Sequence, residues 1–188
     1  MEFYHGTITD KSFAFLQELK RKYSFILIGG WAVFLYTNAL KSKDIDIIVE
    51  YDELGKLKRD FTVHKNERLK KYEIKTGEFD VDIYAPHYSD LGVGAEAVMS
   101  ATISRSGFTV PKLEMLFALK LHAWKQRRGT IKGRKDELDL FSLAFLPEFN
   151  WSSQTIDDDF KVLLSSARNI PELKLNEQQV ARLRKKII

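Results

Sequence analysis

The pattern of apolar and polar positions divides the chain into a mixed first part and a helical second part. Near the start, apolar residues recur at helical spacing over Ser12–Lys22, with Asp10 as the expected N-cap. Apolar runs then predict a strand over Ser24–Ile28, a buried helix over Trp31–Leu40 and a second strand over Asp44–Glu50. The last strand is apolar on both faces beyond its first residues, which is typical of a strand inside a sheet.

The middle of the chain changes to period-two alternation. From Leu69 to Ile83 this alternation predicts a β-hairpin that turns at Thr76-Gly77. Shorter elements are predicted on either side of the hairpin: a helix over Asp52–Arg59, a strand over Phe61–His64, a short helix within Gly92–Ser100, and a strand over Thr102–Val110 interrupted at Gly107.

After Pro111 the spacing becomes helical. It predicts helices over Pro111–Arg128, Arg134–Phe145, 156–167 and 176–187. This order predicts an α+β fold with a small mixed sheet, flanking helices and a C-terminal helical bundle. We expect residues 1–110 to form the core and residues 111–188 a helical region that completes the site.

Composition narrows the classes of protein. The 188 residues include no cysteine, which excludes disulfides and thiolate metal sites. No apolar run is long enough to span a bilayer, so we expect a cytoplasmic protein with no membrane partner. The net charge is +4, with basic runs such as Lys125–Lys135. Solvated helix faces explain most such runs, and a nucleotide or RNA partner is the alternative.

Two carboxylates open the second buried strand. Asp44 and Asp46 are two residues apart, so in a strand they point to the same face, about 6.6 Å apart along the chain. Acids at the start of a buried strand are costly unless they are paired, hydrogen-bonded or metal-bound. The pair is therefore a candidate metal site, and salt-bridged surface acids are the alternative.

A third carboxylate and a glycine turn complete this candidate site. Asp80 and Asp82 share one face of the hairpin's second strand, and Asp82 is favoured because it lies deeper. Magnesium prefers carboxylate oxygens and takes further ligands from substrate phosphates. Gly29-Gly30 precedes a helix whose N-terminal amides favour phosphate, although a tight turn alone would also explain the glycines.

The helical part adds a lysine and two acids. Lys120 lies in an otherwise apolar row, so its ammonium either reaches out to solvent or contacts a phosphate. Asp136 and Asp139 share a helix face, where acids near a helix N-terminus are favourable without any ligand.

Taken together, these residues resemble a known family. Gly29-Gly30, Asp44-x-Asp46 and the later strand carboxylate resemble the DNA polymerase beta-like nucleotidyltransferase superfamily. Lys120 and the segment Arg134–Leu140 further resemble its AbiEii-type branch, which includes toxins of type IV toxin–antitoxin systems. The superfamily often has Gly-Ser where this chain has Gly-Gly, so a serine hydroxyl for the triphosphate is missing.

The resemblance implies a role for each residue. Asp44, Asp46 and Asp82 would bind the metal, with Asp82 also the base for the acceptor hydroxyl. Lys120 would contact nucleotide phosphates, and Asp136 would complete the last motif. The cradle for the triphosphate would consist of Gly29, Gly30, Ser42 and Lys43.

The resemblance also implies a reaction. A nucleoside monophosphate would pass from an NTP substrate to an acceptor hydroxyl on RNA, such as tRNA, or on a protein. The cofactor would be Mg²⁺, or Mn²⁺ in its place, and a cognate toxin or antitoxin would be a partner. The alternatives are an antitoxin that nucleotidylylates a partner toxin, and a nucleotide-binding module that has lost catalysis.

Overall fold

The computed structural model describes residues 2–150, 158 and 162–163. Within them the helices are α1 (Glu2–Lys22), α2 (Gly29–Thr37), α3 (Tyr51–Asp60), α4 (Ala95–Ser100), α5 (Leu113–Arg127) and α6 (Ile131–Ala144). The strands are β1 (Ile26–Ile28), β2 (Ile45–Ile48), β3 (His64–Asn66), β4 (Lys71–Lys75), β5 (Asp80–Tyr84), β6 (Thr102–Arg105) and β7 (Phe108–Pro111). The predicted α+β class is confirmed.

The main sheet has five strands in the order β1-β2-β5-β4-β3. Strands β2 and β5 pair in parallel, and the other neighbours pair antiparallel. Strands β6 and β7 form a separate antiparallel pair. The predicted hairpin of β4 and β5 is confirmed, with its turn at Thr76-Gly77.

The two faces of the main sheet differ. On one face Leu27, Ile47 and Val81 are fully buried in the main apolar core, which α1 covers through Leu16 and Leu19. The other face has a smaller cluster in which Ile26, Ile28 and Ile48 pack with Ala95, Val98 and Leu119. Beside that cluster the same face becomes polar. The fold therefore leaves one side of the sheet for a site.

Helices α5 and α6 are tied together by polar contacts. Trp124 Nε1 donates to Glu137 Oε1 at 3.1 Å, and Arg134 holds the other Glu137 oxygen at 2.8 Å. Thr130 caps α6 by accepting a hydrogen bond from the Gly133 amide at 3.0 Å. With this cap, α6 begins at Ile131. The periodicity predicts a start at Arg134. The main core contains residues from both the predicted core and the predicted helical region.

Several boundaries differ from the prediction; α2, for example, begins at Gly29 and ends at Thr37, where Trp31–Leu40 was predicted. Asp10 does not cap a helix, because α1 begins earlier, at Glu2. The Asp10 carboxylate instead pairs with Lys41 at 2.7 Å. The strand predicted over Phe61–His64 lies later, as β3. The predicted strand Thr102–Val110 is a hairpin, since Ser106 and Gly107 adopt positive φ angles of 49° and 77° and reverse the chain.

None of the described helices is long and apolar enough to cross a membrane. Of the two helices predicted over 156–167 and 176–187, the described residues include only 158, 162 and 163, which are helical. The rest of both predictions lies outside the described residues.

Candidate active site

Three carboxylates form a row across the polar face of the sheet. The strand register places Asp46 of β2 opposite Asp82 of β5, and Asp82 opposite Glu73 of β4. Neighbouring strands are about 4.8 Å apart, so side chains at the same level and on the same face are direct neighbours. We call Asp46, Asp82 and Glu73 the carboxylate row. Such a row concentrates negative charge unless cations lie among its members.

The cations near the row do not neutralise it evenly. Lys71 contacts Asp82 Oδ2 at 2.6 Å and Glu73 Oε1 at 2.9 Å, and Lys75 contacts Glu73 Oε2 at 3.2 Å. Among the described residues Asp46 has no ion-pair partner, and its polar contact is the Tyr84 hydroxyl, which donates to Oδ1 at 3.5 Å. The end of the row next to the glycine turn is therefore the electronegative end.

Asp82 is the member whose ionisation changes most. Burial, followed by the charge of Asp46, raises its pKa to about 6, while Lys71 acts in the opposite direction. Its Oδ1 atom is buried and accepts no hydrogen bond from the described part of the chain. A buried carboxylate oxygen without a donor, in a residue paired with a second aspartate on the next strand, is a place where a bound cation would lower the energy of both groups.

The register also distinguishes Asp82 from Asp80. The Asp80 carboxylate pairs with Lys75 at 2.9 Å and is 41% exposed, while its backbone amide donates to Asp44 Oδ1 at 3.2 Å. Asp80 thus orients Asp44 and lies outside the carboxylate row. The sequence left these two acids open as candidates, and the structure places Asp82 beside Asp46.

The glycine turn fits closely around Asp46. Gly29 has a φ angle of +66°, and a Cβ added to it would lie 2.0 Å from Asp46 Oδ2. A Cβ on Gly30 would lie 2.7 Å from Ser42 Oγ. Both glycines are therefore required by close approach, and Gly29 also by its backbone conformation. The carboxylate of Asp46 rests directly on the backbone that starts α2.

The start of α2 has the features of an anion site. Ile28 occupies the N-cap position and provides no side-chain hydrogen bond, so the first amides of the helix lack a side-chain cap. Lys135 of α6 reaches the same place, with its Nζ 3.3 Å from Ser42 Oγ. Burial lowers the pKa of Lys135, although Asp139 and other nearby carboxylates partly offset this effect. Amides and an ammonium at one helix start favour a phosphate.

Lys135 is a residue that sequence reasoning missed. It stands between Arg134 and Asp136 in the motif that carried the family resemblance, and its one predicted role was as the last residue of the basic segment Lys125–Lys135, which could steer a polynucleotide. Only the packing of α6 against the start of α2 brings its ammonium to the glycines. The sequence signal that could have pointed to Lys135 was its position one residue before Asp136.

Lys120 lies in a second group of charges between the helices. Its Nζ contacts Asp139 Oδ2 at 2.7 Å and Asp136 Oδ1 at 3.3 Å, and Arg127 contacts Asp136 Oδ2 at 2.8 Å. We call these four residues the interhelical ion cluster. Burial disfavours the Lys120 ammonium, but the charges of Asp139 and Asp136 outweigh burial and raise its pKa. Its contact with a nucleotide phosphate stays a prediction.

A single cavity of about 570 Å³ joins these features, a volume within the usual range of small-molecule sites. Its lining includes every predicted site residue except Lys43, which is exposed. The lining also includes five basic side chains, which are Arg68, Lys71, Arg127, Lys132 and Lys135.

Metal binding by Asp44, Asp46 and Asp82 stays a prediction. Within the described residues no three His, Asp or Glu side chains are close enough together to form a ready metal cluster. The residues nevertheless fit a hard divalent ion chemically, because all three are carboxylates and Asp82 Oδ1 lacks a hydrogen-bond donor.

Comparisons with known proteins return remote structural similarities. No protein-family model matches the chain, and no curated protein gives a significant match. An antigenic nucleotidyltransferase-like protein from Paracoccidioides brasiliensis is similar over 88% of this chain and 89% of its own, with 17% identity and a TM-score of 0.47. JHP933 from Helicobacter pylori is similar over 98% of this chain and 88% of its own, with 16% identity and a TM-score of 0.48.

Proposed function

We propose that this chain is a magnesium-dependent nucleotidyltransferase that transfers a nucleoside monophosphate from an NTP to an acceptor hydroxyl. The observation that carries the proposal is the juxtaposition of Asp46 and Asp82, in register on parallel strands, with the Gly29-Gly30 turn and Lys135 in one cavity. A metal–triphosphate complex requires neighbouring carboxylates for the metal and a helix start that favours phosphate, and of these two carboxylates Asp46 has no ion-pair partner among the described residues.

The residues divide between the two ends of the triphosphate. Asp44, Asp46 and Asp82 would hold the magnesium, which when bound supplies positive charge to the phosphate oxygens and to the acceptor oxygen. The amides at the start of α2 and the Lys135 ammonium bind the β- and γ-phosphates. Ser42 holds this region together, because its hydroxyl donates to the Asp44 carbonyl at 3.0 Å.

The proposed step breaks one bond and forms one bond. The acceptor oxygen attacks the α-phosphorus and loses its proton to Asp82. The bond from the α-phosphorus to the bridging oxygen breaks in line, and pyrophosphate leaves with its added charge facing Lys135 and the α2 amides. Without a metal ion, burial and Asp46 raise the pKa of Asp82 to about 6; a bound cation would lower it, so that Asp82 would be ionised and able to accept the proton.

The charges around the cavity favour RNA as the acceptor. Arg68, in the turn between β3 and β4, and Lys132 of α6 line the cavity together with Arg127. Basic side chains from separate elements around one site attract a polyanion and orient its backbone. This acceptor agrees with the toxin of a type IV toxin–antitoxin system that the AbiEii-like motifs imply, and tRNA is the first RNA to test.

The test is a labelling assay. The purified protein is incubated with each α-³²P-labelled NTP, Mg²⁺ and total RNA, and the RNA is separated on a denaturing gel. We expect label on RNA with at least one NTP for the wild type, and no label with Asp44→Ala/Asp46→Ala. Asp80→Asn is the matched control, because it removes a neighbouring carboxylate that lies outside the row and should retain labelling.

Two results would contradict the proposal. Equal labelling by the double variant would remove the aspartates from the chemistry. Absence of labelled product for the wild type with every NTP, with RNA and with a cell lysate as acceptor sources, would contradict transferase activity itself. Label on a protein and not on RNA would retain the enzyme and replace the acceptor.

A further inference from the structure

Lys71 has a position that the proposed chemistry does not use. It is the first residue of β4, its side chain is only 12% exposed, and it lines the cavity. Strand alternation places Lys71, Glu73 and Lys75 on one face. Lys71 therefore lies beside the carboxylate row, diagonal to Asp82 on the neighbouring strand.

Lys71 holds one specific oxygen of Asp82. Its Nζ lies 2.6 Å from Asp82 Oδ2, and it is itself held by Glu73 Oε1 at 2.9 Å. Glu73 is fixed in turn by Asn66, whose Nδ2 donates to Oε1 at 3.0 Å. The other Asp82 oxygen, Oδ1, is buried and has no hydrogen bond within the described residues. The two oxygens of one carboxylate thus have different environments.

We infer that Lys71 is a positioning residue of the proposed metal site: by binding Asp82 Oδ2, it leaves Oδ1 as the atom offered to a divalent cation. The inference rests on the proposed function and extends it to a residue that contacts a proposed metal ligand without binding the metal itself. A carboxylate that is free to rotate presents either oxygen, and fixing it removes that freedom before the ion arrives. Partners of this kind around metal ligands commonly change metal affinity by about 10- to 100-fold when removed.

The opposite role is also physically reasonable, which makes the inference testable. An ammonium beside a metal site repels the ion, so a lysine that merely occupied the site would weaken metal binding. Removing it would then tighten binding. Positioning and competition therefore predict changes of opposite sign for the same substitution.

The chain contains a matched control for Lys71. Lys75 lies on the same strand and face and also contacts Glu73, at 3.2 Å, but its second partner is Asp80 and its side chain is 48% exposed. Lys75→Met removes a positive charge from the same strand without removing a contact to Asp82. It separates the general effect of charge from the specific effect of holding Asp82.

The experiment measures Mn²⁺ binding to the full chain by the electron paramagnetic resonance signal of the free ion, without nucleotide. We expect Lys71→Met to weaken binding about 10- to 100-fold, and Lys75→Met to leave binding near that of the wild type. Lys71→Arg should restore most of the affinity, because a guanidinium can donate to both Asp82 and Glu73.

A double-mutant cycle with Asp82→Asn tests whether Lys71 acts through Asp82. In the Asp82→Asn background, Lys71→Met should produce no further weakening, since the oxygen that it positions is no longer a carboxylate ligand. Thermal unfolding without metal checks that each variant is folded. If Lys71→Met does not fold, Asn66→Ala, which removes a neutral hydrogen-bond donor from Glu73 and leaves every charge in place, should give a smaller weakening of the same sign.

The outcomes separate the two proposals. Tighter or unchanged Mn²⁺ binding by folded Lys71→Met would overturn the positioning role while leaving the transferase proposal standing. Equal weakening by Lys75→Met would do the same, because the effect would then not depend on the contact with Asp82. A wild type that binds Mn²⁺ neither alone nor together with a non-hydrolysable NTP would contradict the metal-dependent function itself.

Discussion

The interhelical ion cluster and the carboxylate row are built from the same residue types, but their charges are balanced differently. In the cluster, Lys120 and Arg127 meet Asp136 and Asp139 within 3.3 Å, two cations against two anions. In the row, Lys71 contacts Asp82 and Glu73, and Lys75 contacts Glu73 as well. The next member, Asp46, has no cationic partner among the described residues.

The difference separates a structural role from a functional one. Buried charges must be paired to be tolerated, and a cluster that pairs them internally needs no ligand. A group of carboxylates that remains electronegative in the folded state is held there by the rest of the structure and is ready for an external cation. The cluster is therefore expected to support folding, and the row to support activity.

The largest expected effect is on activity in the row. Asp46→Asn should lower the rate of NMP transfer by at least about a thousandfold, because several kcal/mol of charge stabilisation correspond to about three powers of ten in rate. The same substitution should leave the free energy of unfolding unchanged or slightly higher, since it relieves repulsion with Asp82. Steady-state kinetics and urea denaturation measure the two quantities.

Asp80→Asn is the control for Asp46→Asn. It makes the same chemical change, but the Asp80 carboxylate pairs with Lys75 and lies outside the row. It should keep most of the activity. A large loss of stability in Asp46→Asn, or equal losses of activity in the two variants, would remove the distinction between the row and its surroundings.

The next effect is on stability in the cluster. Lys120→Met should lower the free energy of unfolding by about 3–5 kcal/mol, because it leaves Asp136 and Asp139 buried with only Arg127 as a partner. Urea denaturation checks this value. Adding Asp139→Asn should recover part of the loss by removing one of the unpaired charges.

If Lys120→Met instead unfolded like the wild type and lost only NTP binding, the cluster would belong to the nucleotide site. The prediction from the family resemblance, a direct contact of Lys120 with phosphate, would then be the better description.

A smaller effect is expected where α6 meets the glycine turn. Lys135→Met should weaken NTP binding by about 10- to 100-fold, which corresponds to the loss of one charge-assisted contact of about 1.5–3 kcal/mol. Isothermal titration calorimetry with a non-hydrolysable NTP measures it. Lys132→Met, a nearby lysine on the same helix, is the control and should change NTP binding less, and equal changes would mean that Lys135 contributes only general charge.

The smallest effect is expected at an ion pair that belongs to neither region. Lys11 and Glu78 are 2.6 Å apart but about half exposed. Lys11→Met should therefore change the free energy of unfolding by less than about 1 kcal/mol, without altering activity. Thermal denaturation provides the measurement. A loss of unfolding free energy as large as that expected for Lys120→Met would contradict the view that the buried ion pairs matter more for stability than this exposed one.

Local pattern predicted most of the fold and the centre of the site. Alternation along β5 placed Asp80 and Asp82 on the polar face, and spacing alone joined Asp44 with Asp46. The choice between Asp80 and Asp82 depended on which residue of β5 lies opposite Asp46. That register is set by the contact of two distant strands, and no local pattern in either strand contains it.

The partners of the charged residues were not predictable in the same way. The pairing of Lys71 with Asp82 requires the β4–β5 register, and the approach of Lys135 to Ser42 requires the docking of α6 on α2. Lys120 illustrates the limit well. Its apolar neighbours allowed either solvent or phosphate as the destination of its ammonium, whereas α6 supplies two buried aspartates.

The parallel pairing of β2 with β5 has a consequence for how the site forms. Antiparallel β4 and β5 are joined by a short turn, so they can pair early with Asp82, Glu73 and Lys71 already together. Asp46 joins them only after the crossover from Val49 to Phe79 has brought β2 alongside β5, a pairing that is distant in sequence and slow to form. We therefore expect the repulsion between Asp46 and Asp82 to arise late in folding, and a divalent cation present during refolding to speed that last step.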